Sequence, residues 1–251
     1  LSMREPLLVH HWSALILIQA GKVPDKAAID SWWDLTREEW RGRVAIPDPA
    51  IDKRSAYFFV TFAQHAEDLA RAYRVEFGRE LVLGPECPDA ACQWMVDLLR
   101  NEPRVLASDA EVAAWVSDPA ASMGRVGICG SEQLAKVQRG KLSLSAVSDI
   151  APAAGLLWPT YLAMVVEGQN PYAARVMIHW LMSDTVGDGA YAPWYEAGLY
   201  PARVDMPDPP GSVPRGDLEP RLWLLDARFA LDHEWIVRDW VKGAMEDKVV
   251  R

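Results

Sequence analysis

The strongest constraint on this chain is an alternation. Short apolar runs that read as strands are followed, repeatedly, by segments whose apolar residues recur at intervals of three and four. Leu7-Leu8-Val9 and Ala14–Ile18 are short apolar runs in an extended or buried context, and Gly21 to Asp25 is a turn. Asp30-Ser31-Trp32-Trp33-Asp34-Leu35 leads with polar residues that can cap a short helix, and Gly42 after Trp40 is a stop. Arg43–Ile46 reads as a strand closed by Pro47-Asp48-Pro49. From Ser55 to Phe77, Phe58, Phe59, Phe62, Ala66, Leu69, Ala70 and Tyr73 keep the helical period, which predicts a helix with one buried face. Asp89 opens a helix through Trp94, Met95, Leu98 and Leu99, and Arg104–Ala107 is a short strand. Ser108-Asp109 caps a helix carrying Val112 and Val116, Arg125–Cys129 is a strand, and Gly130-Ser131 leads into a helix through Leu134 and Val137. Leu156–Val166 is a long strand candidate. Asn170-Pro171 starts a helix whose buried face would hold Ala174, Met177, Ile178 and Leu181, with proline in the first turn, where its missing N–H costs nothing. Such alternation with short connections predicts an α/β fold, and the one Pro/Gly-rich stretch runs from Met206 to Gly216.

Length and charge narrow the class. The 251 residues suffice for one large domain or two modest ones without help from disulfides or metal, and a 50% apolar content excludes disorder. Thirty-five acidic side chains against 26 basic ones give a net charge of −9, so the summed field repels phosphate backbones, and nucleic acid is not an expected partner. No apolar run approaches the roughly 20 residues that span a bilayer. The chain opens Leu1-Ser2-Met3, which points to removal of something upstream. Twelve tryptophans must fill core or line surfaces that hold something; Trp180, Trp223, Trp235 and Trp240, on helical segments, are assigned to core. Cys87 and Cys92 stand five apart and Cys129 stands alone, with no paired spacing that would hold zinc. A Cys87–Cys92 disulfide in an exported protein and two reduced, half-buried thiols are both open.

Three segments carry a resemblance. Ser31-Trp32-Trp33-Asp34-Leu35 with Trp40-Arg41-Gly42-Arg43-Val44-Ala45-Ile46-Pro47-Asp48-Pro49 resembles the "sWxDLl…WkGkiampdP" segment of extracellular solute-binding proteins of ABC importers, in the ferric-ion and related branch. Ala154-Gly155-Leu156 through Gly168, then Asn170-Pro171-Tyr172-Ala173-Ala174 and Ile178-His179-Trp180-Leu181-Met182-Ser183, resembles that family's "G…(a)ivkgapnPeaAkkFidWllS". Tyr200-Pro201-Ala202-Arg203-Val204-Asp205 is similar to its "YPvRxDv" ending. The resemblance implies a type 2 periplasmic-binding-protein architecture: two α/β lobes with mixed sheets flanked by helices, joined by crossover strands around a cleft. The cleft closes on a small solute, which is delivered to a membrane permease. It further implies a monomeric, non-enzymatic protein without cofactor, exported to the periplasm or anchored at the cell surface. One nearly complete lobe and part of the second are expected. Residues 1–19 would form a crossover and lobe-one segment, 20–145 lobe two, 146–210 the return crossover and the rest of lobe one, and 211–251 C-terminal helices. Most of the N-terminal lobe is expected to be missing.

Two loops draw attention as ligand sites. Pro47–Ser55 follows a strand and precedes a long helix, so free backbone N–H groups, Asp52, Lys53, Arg54 and Ser55 converge there, a geometry that favours an anionic or phosphorylated group. An ordinary capped helix with solvated cations fits the residue chemistry equally well, and the resemblance tips the reading toward the cleft. In Val126–Glu132, Ile128 and Cys129 stand where ferric-binding relatives carry iron-ligating tyrosines, so iron is the weaker cargo. Gly130 N–H and the Ser131 hydroxyl suit an organic or phosphorylated ligand. Trp158 and Tyr161 on the return strand, and Trp12 on the other crossover, are further ligand candidates, with core packing the commoner fate of a strand tryptophan. The competing class is an acyl-transfer or hydrolase enzyme using Cys129 as nucleophile. It lacks a placed base: His179 reads as structural, and adjacent His10 and His11 on an extended segment point opposite ways.

Overall fold

The computed structural model describes residues 7–20, 29–121, 124–165, 168–184 and 189–233. Its spine is β1 (Leu8–Ala20), buried on both faces from His10 to Ile18. The two apolar runs seen in the sequence are thus one strand, and the double burial explains why they read as runs rather than as alternation. Alternation still sorts the side chains: Trp12, Ala14, Ile16 and Ile18 enter one core, while Leu15 and Leu17 enter the other.

Ser31 and Asp34 close a capping box around a 3₁₀ turn at Trp32–Thr36. Both following indoles are fully buried and satisfied, Trp32 donating to the Ala153 carbonyl at 2.8 Å and Trp33 to that of Leu69 at 2.9 Å. After β2 (Val44–Pro47), the single helix expected over 55–77 is two, α1 (Lys53–Gln64) and α2 (Ala66–Phe77). The break falls at His65, whose ψ of 30° leaves the helical well and whose ring stacks on Trp223 at 4.2 Å. α3 (Ala90–Arg100) is capped by Asp89 as expected, and β3 (Arg104–Leu106) and α4 (Asp109–Val116), capped by Ser108, follow. Next come β4 (Val126–Gly130), a 3₁₀ turn at Ser131–Leu134, α5 (Ala135–Gln138) and β5 (Leu144–Val147). β6 (Gly155–Leu162) stops short of the expected Val166, which lies outside the described residues. α6 (Pro171–Leu181), α7 (Ala192–Ala197), β7 (Tyr200–Pro201), α8 (Arg215–Leu218) and β8 (Leu222–Leu224) complete the order.

The strands form one mixed sheet in the order β3-β2-β4-β1-β6-β8, with β5 and β7 also pairing on β1. β2 is parallel to both β3 and β4, whereas β1 is antiparallel to every strand it meets. Helices α1, α2 and α3 cover one face, around Trp32, Phe58, Phe62, Leu69 and Trp94; α4 and α8 cover the other, around Val112, Val116 and Leu218. Cys87 and Cys92 are buried and unlinked, their sulfurs 2.8 Å apart.

Two expectations are corrected. α6 buries no residue: Met177 and Trp180 are 50% and 51% exposed, so Trp180 is not core. The helix is tied down at its C-terminal end instead, where His10 Nε2 donates to the Leu181 carbonyl at 2.9 Å and Arg203 Nη1 to that of Met182 at 2.9 Å. The second correction concerns His10 and His11, which do not diverge. The β1–β6 register jumps from Val9↔Tyr161 to His11↔Thr160, so His10 is the extra residue of a bulge, and the two Nδ1 atoms meet at 2.8 Å. Trp223 packs on the first core as expected, but from strand β8 rather than from a helix, while Trp235 and Trp240 and the turn at Gly21 to Asp25 lie outside the described residues.

Candidate functional site

Because β3, β2 and β4 are mutually parallel, their C-terminal ends, Leu106, Pro47 and Gly130, open on the same edge of the sheet. In open α/β sheets that edge is where loops and helix starts can surround a ligand. Each strand here runs into a short turn and a helix. Asp48 Oδ1 accepts from Ala50 N–H at 2.8 Å and shapes the first turn, and Asp52 Oδ1 caps α1 through Arg54 N–H at 3.1 Å. Together they border an open cavity of about 440 Å³ whose walls include Ile51, Asp52, Arg54, Ser108, Asp109 and Gln133.

The electrostatic centre is Arg54. Its guanidinium donates through Nη2 to Asp109 Oδ2 and through Nη1 to Glu132 Oε1 at 2.8 Å. Burial works against the Arg54 charge, but Glu132 and Asp109 outweigh it and hold the pKa above the ordinary value. For Asp109 burial wins: its carboxyl is pushed up to about 6, with Arg54 pulling down and Glu132 and Asp52 pushing further up. Gly130 N–H donates to the same Asp109 Oδ2 at 3.1 Å. A Cβ on Gly130 would sit 2.3 Å from the Glu132 carboxylate oxygens, so the glycine is what lets that side chain fold back over the strand end.

The nine residues singled out from the sequence fall into three groups. Asp52 and Arg54 line the cavity, and Lys53 is exposed beside them on the first turn of α1. Ser55, Gly130 and Ser131 lie underneath as scaffold. Ser55 donates to the Pro47 carbonyl at 2.8 Å and is 2% exposed, and Ser131 Oγ accepts from Ala14 N–H at 3.1 Å and is 1% exposed. Of the donors expected to meet an anion, Gly130 N–H is given to Asp109 and the Ser131 hydroxyl is buried outside the cavity lining. Trp12, Trp158 and Tyr161 are not among the residues that line this cavity. Trp12 is buried and stacked on Tyr200 at 4.0 Å, Trp158 stacks on Tyr57 at 5.6 Å, and Tyr161 is exposed opposite Val9.

Cys129 does not have the setting of a nucleophile. It is fully buried in the second core, its thiol donates to the Gly130 carbonyl at 3.6 Å, and burial pushes its pKa well up, whereas a reactive cysteine needs access and a lowered pKa. A second hollow of about 480 Å³, beside His179, Ser183, Asp184 and Arg203, holds an Arg203 already paired with Asp184 and Asp205. Among the described residues no group of three or more His, Cys, Asp or Glu side chains is placed to hold a metal ion.

Asp109, Glu132 and Gln133 are the residues the sequence did not single out. Asp109 read as half of a helix cap and Glu132 as the tail of a loop. Their meeting with Arg54, 55 and 78 positions away, left no local signal.

This architecture, a mixed sheet flanked by helices with β1 as its spine, is the fold of the periplasmic binding proteins. The iron-bound structure of HitA from Pseudomonas aeruginosa matches 94% of this chain and 69% of its own, with a TM-score of 0.66 and 14% identity. The apo ferric ion-binding protein A of Pasteurella haemolytica matches 97% of this chain and 70% of its own, at TM-score 0.66 and 11% identity. An ABC transporter structure from Clostridium perfringens ATCC 13124 matches 94% and 68%, at TM-score 0.64 and 14% identity. No family model and no curated protein sequence matches the chain.

Proposed function

We propose that the chain is the solute-capturing component of an ABC importer. It holds a small organic solute at the edge formed by the ends of β2, β3 and β4 and hands it to a membrane permease. The observation that carries this reading is the cavity itself. Three parallel strand ends, each continued by a turn and a helix, surround about 440 Å³ on a fold otherwise seen in solute-binding proteins. Export to the periplasm or cell surface, a monomeric state and no nucleic-acid partner belong to the same proposal, as does the lobe organisation. For the last, support comes from β1 and β6, which run antiparallel from Leu8↔Leu162 to Ile16↔Gly155 as a pair of crossover strands would.

The anionic or phosphorylated solute suggested by Lys53 and Arg54 is the less favoured charge class, since Arg54 already meets two carboxylates. Ferric iron is disfavoured because Ile128 and Cys129, both buried, stand where the resemblance would put ligating tyrosines. Catalysis is not part of the reading. Native mass spectrometry of the purified chain should show a single bound small molecule, lost when Ala110→Trp fills the cavity it lines. An unliganded mass with no thermal shift from any solute class would sink the proposal, and so would ester hydrolysis that vanishes in Cys129→Ser.

A further inference from the structure

The walls of the cavity carry acceptors without partners. Asp109 and Gln133 are 6% and 7% exposed, yet Asp109 Oδ1 and Gln133 Oε1 are buried without a hydrogen-bond partner among the described residues. Both residues line the cavity. Glu132 Oε2, beside them, is in the same condition. Buried polar atoms are nearly always paired, so two unpaired acceptors on residues that line one cavity, with a third on the neighbouring Glu132, mark a place for a donor. The formal charge agrees in sign: three carboxylates, Asp52, Asp109 and Glu132, outnumber Arg54 and the exposed Lys53 beside it. An incoming anion would meet acceptor oxygens, and one N–H of each terminal nitrogen of Arg54 is already given to a carboxylate.

We infer that the solute carries a cationic nitrogen group, an ammonium or guanidinium, that docks on Asp109, Glu132 and Gln133. This rests on the solute-capture reading above. N–H donors on a cation pair with carboxylate and amide oxygens in short, charge-assisted hydrogen bonds, about twice as strong as neutral ones. The chain's net charge of −9 steers such a solute toward it. The Arg54 guanidinium lies between the two carboxylates, which suits an organic group better than a bare metal ion.

The docking is coupled to protons. Asp109 is faced by Arg54 and Asp52 from α1, by Glu132 and Gln133 from the turn after β4, and by Gly130 N–H. Burial holds its carboxyl up to about 6 in the unliganded chain, and a bound cation favours the deprotonated form. Affinity for a cation should therefore fall by about ten-fold per unit as the pH drops below that value, with a proton released on binding.

Isothermal titration of the chain with agmatine and cadaverine, against phosphate, succinate and glucose, tests the inference. Cation binding that weakens about ten-fold or more in both Asp109→Asn and Gln133→Met supports it. The second variant removes the acceptor at nearly constant volume, so it stays informative if Asp109→Asn folds poorly. Binding of phosphate, succinate or glucose but not of the amines would overturn the cationic class and leave solute capture standing. Binding of none would overturn both. Amine binding untouched by either variant would place the solute elsewhere and refute the assignment of these residues.

Discussion

Helices α3 and α6 are both eleven residues long, and both carry apolar residues at helical spacing, yet they end in opposite conditions. α3 is wedged against the sheet and buries Trp94, Met95, Leu98 and Leu99 among eight residues, whereas α6 buries none. Amphipathic spacing states that a helix has a face to bury; it does not state that the described chain supplies the partner. Energetically the two tryptophans should then behave as different kinds of residue. Trp94→Ala removes a fully buried indole that donates to the Trp32 carbonyl at 2.8 Å, and should cost about 4 kcal/mol in urea unfolding. Trp180→Ala should stay within about 0.5 kcal/mol, as for surface positions generally. Equal costs would break the contrast.

A finer version of the same test uses glycine. A Cβ on Gly127 in β4 would lie 2.5 Å from Val112 Cγ1 and 2.9 Å from Val116 Cγ2, so α4 packs on the sheet only because that methyl is missing. Gly127→Ala should cost about 3 kcal/mol through overpacking. Gly216 in α8 has open space where its Cβ would be, and Gly216→Ala should be neutral or stabilise by up to about 0.5 kcal/mol. Both numbers come from the same denaturation series.

The contrast also separates what was legible in the sequence from what was not. The caps at Ser31, Asp89 and Ser108 involve hydrogen bonds to atoms within three residues, so their signals are local, and the structure reproduces them. At the break His65 stacks on Trp223, far along the chain, and no spacing announces that contact. The bulge at His10 is likewise set by how β6 registers on β1, which turned two diverging imidazoles into a pair. At the cavity, the loop Pro47–Ser55 was legible as a strand-to-helix turn. Its charge character was not, because the carboxylates that neutralise Arg54 arrive from two other strand ends. Short motifs fix where a backbone turns; the sign of a site is a sum over distant segments.

The last prediction opposes the two regions directly. His11, on the β7-flanked end of β1, has its pKa lowered from 6.5 to about 4 by burial and then by His10, whereas Asp109 is raised from 3.8 to about 6 by burial. The signs follow from linkage. A lowered imidazole gives stability that is present above 6.5 and lost as pH falls toward 4; a raised carboxyl gives stability that is present below 3.8 and lost as pH rises through 6. Between those limits the two contributions run against each other, each worth about 3 kcal/mol, so their sum in the unmodified chain should be nearly flat. Single variants uncouple them. Relative to the parent chain, His11→Gln should gain stability as the pH is lowered from 6.5 to 4, because it no longer carries a group that resists protonation. Asp109→Asn should lose stability over the same interval. Urea midpoints at a series of pH values, with His11 followed by NMR titration, read both slopes. Parallel slopes in the two variants would mean that burial does not set these two groups in opposition.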